Sequence, residues 1–364
     1  MSILGIRVLN KGMRAIAELD NISEAVHRRR YFEPGEWYAR LPYFDGALEV
    51  ISEGEYFLLG GEAWGACLLE RVEIEDSEAP TITISGCTLS GLLRRRVVLP
   101  NMGDNFFRVV QQPAETIMHR LVLSQAIGPQ DVRRAMEELG AGTDLGRGVT
   151  TSWRATFWDN LADVLTDIGE FAGLGYDVRL SLEEGGLIFT VIEGRDLTSS
   201  QSERPMVVFG TTLDNLGRVA YDNNTDTYRN AVYAISGDVE ADDFMAHLAR
   251  EEGAGGRGLR EIAYNASSQA DDAGQLRMVA EMRLKERGPR PTINANVLDT
   301  ASFRYMEDWD LGEIVTVVHS KAQAVIHQRI TEVARILTPQ GSRTEIQFGT
   351  DHADPVRKLQ RMRG

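Results

Sequence analysis

Short β-type runs separated by polar turns dominate this chain, and residues 187–237 show the pattern most plainly. Three runs rich in β-branched and aromatic residues are bounded by Gly, Asn, Asp and Ser: residues 187–192, 206–209 and 231–235. Such runs are typical of strands. A polar insert at residues 198–204 separates the first two, and a turn-rich segment at residues 222–226 precedes the third. Nothing here is arranged as a nucleophile, a metal cage or a phosphate cradle, so the stretch predicts a scaffold.

The composition predicts a folded protein with an acidic surface. The chain has 364 residues, of which 43% are hydrophobic and 26% charged, and such values are ordinary for a globular protein. Protein domains have about 150 residues on average, so a chain of this length is expected to form two or three domains. The net charge of −15, from 39 Lys and Arg against 54 Asp and Glu, argues against a surface that wraps nucleic acid or binds anionic lipid.

The two cysteines, Cys67 and Cys87, are predicted to be reduced and buried. A disulfide framework would need more cysteines, and a zinc site would need ligands nearby. No apolar run reaches the ~18 residues of a membrane span, and the N-terminus lacks the charged-then-apolar pattern of a signal peptide. We therefore expect a protein that is made in the cytoplasm and is not exported by a recognisable signal.

Residues 1–104 are predicted to form an N-terminal β-barrel domain. The segments ALEVI, EYFLLGG, WGACLLERVEIED and TITISG, within residues 47–99, predict strands about ten residues apart, as in a meander or small barrel. The basic run HRRR at residues 27–30 could bind nucleic acid, but the acidic chain favours a solvated strand edge or turn. Arginines 94–96 could bind phosphate; we favour a helix C-terminal cap and a subunit contact, because cations are stabilised at that end of a helix.

Residues 105–204 are predicted to form an α+β middle domain. Pro113 opens a helix with Ile117 and Leu121 at helical spacing. A second helix ends at Gly173 and Gly175, before a hairpin around residues 184–186. Its apolar stripe consists of Leu161, Val164, Leu165, Ile168 and Phe171.

Two features of this middle segment could be taken for sites. His119 lies in the first helix without an Asp, Glu or Cys at a ligating spacing, so we predict a structural role. Trp153, Phe157 and Trp158 could form a ligand platform, but we favour an aromatic anchor at the start of the second helix.

Residues 205–300 are predicted to form a connecting α+β domain with an amphipathic helix at 271–287, whose end charges suit the helix dipole. The run GAGGRG at residues 253–258 satisfies a dinucleotide-binding pattern, but the preceding HLAREE is predicted to be helical and no βαβ unit surrounds it. We therefore predict a surface loop. Asp242 and Asp243 lack the spacing of a calcium loop. Residues 301–350 predict the strands of a second β-barrel, and residues 351–364 a basic tail.

The two β-rich ends of the chain resemble one another. Residues 68–86 and 327–349 both predict a strand, a polar turn, a second strand and a glycine. Each is preceded by a Gly-Glu pair, Gly61-Glu62 and Gly312-Glu313, and by an apolar strand. Similarity in a fixed order indicates a duplicated unit. We therefore predict two related small barrels.

Several strings, taken in order, resemble the siphophage ReqiPepy-type tail protein family. They are EGRDLT (193–198), PMVVF (205–209), YRNAVY (228–233), ISG (84–86), LLRRR (92–96), PAETIM (113–118), YDV (176–178), LGEIV (311–315) and ITEV (330–333). The resemblance implies the hub fold of phage tails, in which each subunit of a trimer contributes two barrels. A trimer would then present six barrels to a sixfold tail tube.

We therefore predict an α+β, multidomain phage tail hub fold, with two small β-barrel domains flanking mixed α+β middle domains. The predicted function is that of a non-enzymatic hub of the baseplate or tail tip, with no catalytic, cofactor-binding or metal-binding residues. The expected partners are two further copies of the chain, distal tail or tail-tube proteins, tail fibres or other tip proteins, and the tape-measure protein. DNA would pass through the lumen unbound. The chain ends just after its last predicted strand, which predicts a bare hub.

Two alternatives remain open at this point. A tail-associated peptidoglycan hydrolase would need two carboxylates facing each other across a cleft, or a nucleophile beside a base. A glycan-binding adhesin at the tail tip would need a surface for sugars.

Overall fold

The computed structural model describes residues 5–60, 65–101, 103–156, 158–222, 225–226, 228–270, 272–288, 292–297 and 303–349. This part of the chain is rich in strands and has α-helices of only 7 to 14 residues. None of the described helices is long and apolar enough to cross a membrane. The predicted Gly61-Glu62 pair and the tail at 351–364 lie outside the described residues.

The first β region contains seven antiparallel strands. They are β1 (Ile6–Leu9), β2 (Ala15–Leu19), β3 (Glu24–Arg30), β4 (Glu36–Pro42), β5 (Tyr56–Leu59), β6 (Ala66–Glu75) and β7 (Thr81–Thr88). Their order in the sheet is β2-β1-β5-β6-β7-β4-β3. Along β4, Trp37, Ala39 and Leu41 are buried, because alternate side chains of a strand point to the same face. Trp37 stacks on Phe57 with ring centroids 5.4 Å apart.

The prediction of a strand at residues 47–51 is wrong, because this segment forms helix α1 (Ala47–Glu53). Ala47 and Ile51 are buried, whereas Leu48 is exposed. Residues four apart lie on one face of a helix, so helical spacing decides which side chains meet the core. Gly46, at φ 82°, starts the helix, and Gly54 follows its last residue.

The middle of the chain contains two helices and two small sheets. Its elements are β8 (Phe107–Pro113), α2 (Ala114–Val122), β9 (Leu139–Ala141), β10 (Thr150–Ala155), α3 (Leu161–Ala172), β11 (Gly175–Ser181) and β12 (Gly186–Ile192). A π-helical turn, Leu123–Ile127, continues α2. The predicted helices and the hairpin are confirmed, and the whole apolar stripe of α3 is buried. Asn160 caps α3 by accepting a hydrogen bond from the Ala162 amide, and Gly173 ends it at φ 70°.

A second small α+β unit follows. It consists of β15 (Ala231–Asp238), β16 (Asp243–Arg250), β17 (Glu261–Asn265) and α4 (Ala273–Glu286). The predicted helix is confirmed, with Asp272 as its N-cap and Leu276, Val279 and Ala280 buried. The helical prediction for residues 247–252 is wrong, since residues 247–250 belong to β16. The run 253–258 connects β16 and β17 as a surface loop that includes a short 3-10 helix, Gly256–Gly258.

The second β region has six strands among the residues that the structure describes. They are β13 (Val208–Gly210), β14 (Leu216–Asp222), β18 (Thr292–Val297), β19 (Ile314–His319), β20 (Ala324–Thr338) and β21 (Gly341–Phe348). Strand β14 was not predicted, and its last residue, Asp222, was expected to lie in a turn-rich segment. The sequence LGRVAYD has a single β-branched residue, Val219, and no strict alternation. Pairing with β18 places it in the sheet.

Strands β3 and β20 join the two β regions into one sheet. They pair antiparallel from Glu332–Arg30 to Leu337–Ala25. The prediction of a solvated edge or turn at residues 27–30 is therefore wrong, because β3 lies between β4 and β20. The described strands form an open path from β2 to β14, so the closed barrels of the sequence prediction are not seen among the described residues.

The two β regions have the same strand order. The first contains β1-β5-β6-β7-β4-β3, and the second contains β13-β19-β20-β21-β18-β14. All neighbours in both series are antiparallel except β13 and β19, which are parallel. The echo predicted at residues 68–86 and 327–349 corresponds to the hairpins β6–β7 and β20–β21. The described Gly-Glu pair before β5, Gly54-Glu55, is the one that corresponds to Gly312-Glu313 before β19.

Candidate functional site at the junction of the two β regions

One face of the β3–β20 junction carries a cluster of ionic side chains. Glu332 accepts from Arg30 at 2.9 Å and lies 3.1 Å from the Nε atom of Arg28. Glu36 on β4 approaches both arginines, at 3.0 and 3.1 Å. Burial lowers the pKa of Arg30, but the hydrogen bond that Arg30 donates to Glu332 and the charge of Glu36 outweigh it and raise the pKa. The basic run thus meets carboxylates from two other strands. Glu332 had no signal in the sequence, because it is 302 residues from Arg30.

The opposite face of β3 presents His27 and Arg29. Arg29 donates to the hydroxyl of Tyr305 at 2.7 Å and to Asp310 at 3.0 Å. Asp177 of the middle segment lies 3.9 Å away. Arg29 therefore connects three parts of the chain. Burial lowers its pKa, but Tyr305, Asp310 and Asp177 raise it on balance.

His27 makes the fold acid-sensitive. Burial, with the charges of Arg29 and Arg335, lowers the pKa of His27 from 6.5 to about 3. The folded protein therefore favours the neutral imidazole. Above pH 6.5 His27 is neutral in both the folded and the unfolded chain, and the folded protein keeps its full stability. As the pH falls from 6.5 toward the folded-state pKa of about 3, His27 gains a proton more readily in the unfolded chain, and the free energy of unfolding decreases.

We expect the difference in free energy of unfolding between the native chain and His27→Gln to fall by about 1 kcal/mol between pH 7 and pH 5.5. Urea titrations at each pH measure it. Titrating carboxylates contribute to both proteins and cancel in the difference. Parallel pH curves for the two proteins would contradict the expectation.

Tyr31, directly after β3, fixes the junction to the middle segment. Its hydroxyl donates to the Ile192 carbonyl at 2.8 Å and accepts from the Gly194 amide at 3.1 Å. The Arg329 guanidinium lies 5.0 Å from its ring centroid, a cation–π distance. A Cβ on Gly312 would lie 2.1 Å from this ring. The tyrosine and glycine are thus complementary in shape, and neither was predicted as a site residue.

The aromatic and histidine candidates of the middle segment are core residues. His119 is buried and packs edge-on against Phe189, with ring centroids 5.3 Å apart. Trp153 is buried against Phe171, near the C-terminal end of α3, so the aromatic anchor at the start of this helix stays a prediction. Trp158 is instead 84% exposed, and Phe157 lies outside the described residues. The three aromatic residues therefore do not form a platform within the described structure.

The cysteines and arginines 94–96 also have structural contacts. Cys67 and Cys87 are free and buried, and burial raises the pKa of both thiols. Two of the arginines lie in the last turn of a 3-10 helix, Leu89–Arg95. Arg96 donates to the carbonyl oxygen of Arg134 at 2.9 Å. The predicted position at a helix C-terminus is confirmed, whereas the subunit contact stays a prediction.

The polar insert at 198–204 is attached to the second β region. The Ser199 amide donates to the hydroxyl of Thr316 at 2.8 Å, and the Leu197 amide to the Ile314 carbonyl. Residues 202–204 are exposed. Asp242 lies in the tight turn before β16. Within the described residues no group of three or more His, Cys, Asp or Glu could hold a metal ion.

One cleft of about 530 Å³ lies at the β11–β12 turn. Its lining includes three glutamates, Glu137, Glu138 and Glu184, together with residues of β9 and β12. A glycosidase needs an acid and a second carboxylate at such a place. The cleft is therefore where a hydrolase hypothesis can be tested.

Two comparisons of sequence give different results. The model of the siphovirus ReqiPepy6 Gp37-like protein family matches residues 5–350. The sequence has no significant match among curated proteins.

Three solved structures share the fold over almost their whole length. The tail protein from Neisseria meningitidis MC58 has a TM-score of 0.61 at 13% identity, with 95% of this chain and 96% of that chain covered. The 43 kDa tail protein of prophage MuSo2 from Shewanella oneidensis has 0.62 at 12% identity, covering 94% and 98%. The prophage tail protein gp18 from Listeria monocytogenes EGD-e has 0.57 at 10% identity, covering 98% of each chain. At these identities the likeness concerns the fold.

Proposed function

Because this chain belongs to the siphovirus ReqiPepy6 Gp37-like family and is thus a protein of the virion tail, we propose that it is the central hub of the baseplate or tail tip. In this role it adapts the sixfold tail tube to a threefold tip and closes the tube before DNA ejection. Its partners are two further copies of itself, distal tail or tail-tube proteins, and fibre or other tip proteins, with the tape-measure protein inside the tube. The division into two barrel domains and α+β domains belongs to this proposal.

The observation that carries the proposal is the matched strand order of the two β regions. They lie side by side in one sheet, joined by β3 and β20. A threefold assembly of such a chain offers six similar β units around its axis, which a sixfold partner can contact in equivalent ways. The net charge of −15 suits a lumen that repels DNA.

We expect purified protein to form a homotrimer. Light scattering coupled to size exclusion should give three times the chain mass of 40.4 kDa. A strict monomer, even when concentrated, would count against the hub assignment.

The hydrolase alternative is tested at the cleft of Glu137, Glu138 and Glu184. A hub without enzymatic activity leaves cell walls intact in a zymogram. If the native protein cleared cell walls and Glu138→Gln and Glu184→Gln did not, the scaffold assignment would be wrong. Binding of the isolated protein to a glycan array would instead favour the adhesin alternative.

A further inference from the structure

A pocket of about 550 Å³ lies where strand β8 meets the end of helix α2. Its lining includes four apolar residues and two arginines: Phe107, Val109, Leu123, Ile127, Arg108 and Arg120. Ligand pockets typically have volumes of about 300–1,000 Å³. Among the described residues that line the pocket there is no aspartate or glutamate. The described lining therefore combines apolar surface with positive charge alone.

The π-helical turn Leu123–Ile127 forms one wall of this pocket. The Gly128 amide donates to the Leu123 carbonyl at 2.8 Å, a hydrogen bond that spans five residues instead of the four of an α-helix. Leu123, Ser124 and Ile127 all contribute to the lining, and Leu123 is 44% exposed. Such turns are rare and occur frequently at functional sites. The shape of this helix end thus points to a ligand.

The side chain of Arg120 has no partner within the part of the chain that the structure describes. Other arginines of the middle segment are paired, since Arg147 donates to Glu115 at 2.8 Å and Arg133 donates to Asp131 at 2.8 Å. The chain contains 54 acidic residues against 39 basic ones, so carboxylates are abundant. Arginine binds carboxylates through strong, charge-assisted hydrogen bonds. Arg120 is therefore available to a carboxylate from another molecule.

Two apolar residues beside the pocket are also exposed, Val97 and Leu99. The Leu99 amide donates to Gln125 of the π-helical turn at 2.9 Å, and the Gln125 side chain donates back to the Leu99 carbonyl at 3.0 Å. Arg134 donates to the Val97 carbonyl at 2.7 Å. These bonds hold the backbone in place while both side chains stay exposed. A preorganised surface of this kind loses little conformational freedom when a partner binds.

The chemistry of the pocket favours a peptide over the other anions that arginines bind. DNA binding depends on many cations that follow the phosphate backbone, whereas this lining has two arginines beside apolar residues. The net charge of −15 also repels DNA and anionic lipid. An acidic amphipathic peptide offers both an apolar face and carboxylates, and such segments bind apolar grooves through their apolar face.

We propose that this pocket binds an acidic amphipathic segment of a partner protein. A large apolar side chain of the segment enters the pocket between β8 and the π-helical turn. Neighbouring carboxylates of the segment pair with Arg120 and Arg108, and further apolar side chains cover Val97 and Leu99. The proposal goes beyond the hub role and does not require a trimer.

Fluorescence anisotropy with a labelled peptide tests the pocket on the full chain. The probe is a helical peptide of leucine and glutamate with its leucines on one face. One analogue has glutamine in place of glutamate, and another has alanine in place of leucine. We expect the probe to bind about tenfold more tightly than either analogue, because each analogue lacks one half of the recognised chemistry. An alanine analogue that binds as tightly as the probe would contradict an apolar pocket.

Arg120→Glu should weaken binding of the probe by about tenfold, because repulsion replaces attraction at the pocket. The matched control is Arg343→Glu on β21, which changes the net charge equally at a side chain that is 65% exposed. This control should bind the probe like the native chain. Equal weakening by the two variants would mean that only long-range attraction is measured, and the proposal would be wrong.

Leu123→Gln tests the apolar half of the site without a change of charge. It should weaken binding of the probe by about fivefold, because the pocket loses apolar contact area. Leu123 is already 44% exposed, so the variant should stay folded, and a urea titration checks this. Unchanged binding by a folded Leu123→Gln would place the peptide elsewhere on the surface.

Three further results would overturn the proposal. The native chain could fail to bind the probe at all. A short DNA duplex could displace the probe, which would assign the pocket to nucleic acid. Arg120→Glu could change the mass of the native protein in light scattering, which would assign the pocket to a second copy of the chain. The native mass itself tests the hub, so the two proposals fail separately.

Discussion

Replacing Gly312 with alanine should destabilise the protein by about 3–5 kcal/mol, since it combines backbone strain with overpacking. Gly312 has φ +92°, a conformation that residues with a Cβ rarely adopt. The added Cβ would lie 2.1 Å from Cε2 and 2.4 Å from Cδ2 of Tyr31. The ring cannot move away easily, because Ile192 and Gly194 hold its hydroxyl. Chemical denaturation followed by circular dichroism measures the loss.

Gly185→Ala is the matched control for this substitution. Gly185 also has positive φ, +65°, but no heavy atom lies within 4 Å of the Cβ position. We expect it to lose only about 1 kcal/mol, from backbone strain alone. In the double variant Gly312→Ala/Tyr31→Ala the clash is gone. The double variant should therefore lose less stability than the two single variants lose together. Equal losses for the two glycine variants would refute the shape argument.

Replacing Glu332 with alanine should cost about 3 kcal/mol, because removing one partner of a buried ion pair leaves the other charges uncompensated. Glu332 is 16% exposed and Arg30 is 10% exposed, so water replaces the lost carboxylate poorly. Glu36 remains near both Arg28 and Arg30 and limits the loss. Urea denaturation gives the free energy, and hydrogen exchange should show faster opening of β3.

The control for Glu332 is Glu345→Ala on the neighbouring strand β21. Glu345 pairs with Arg343, whose side chain is 65% exposed. Surface ion pairs contribute about 0–1 kcal/mol, so this loss should be small. If both variants lost the same stability, the ionic cluster would have no special role at the junction.

The middle segment could be predicted well because its signals are local. Each signal lies in or directly beside the helix that it predicts. Pro113 precedes α2, and α3 contains its apolar stripe and is followed by Gly173. Residues 47–51 were misassigned because a short apolar run fits a strand and a helix alike. Strand β14 was missed for a different reason, because seven residues without strict alternation carry little information about secondary structure.

The site was much less predictable than the fold. A basic run in an acidic chain was assigned to solvent, because charged residues are rarely buried unless they are paired. The partners of Arg30 and Arg29, Glu332 and Asp310, are 302 and 281 residues away. The sequence around Tyr31 does not indicate its role, because that role depends on contact with Gly312, which is far away in the sequence.

Neighbouring residues alone specify the helices that carry caps and apolar stripes and the similarity of the two hairpins. Strands and helices repeat every 2 and 3.6 residues, so their patterns can be recognised from residues that are close together in the sequence. The pairing of β3 with β20 and the contacts of the basic run with carboxylates emerge only in the folded chain. The reason is physical: strand pairing depends on backbone hydrogen bonds and packing between segments far apart in the chain, and these leave no fixed spacing in the sequence.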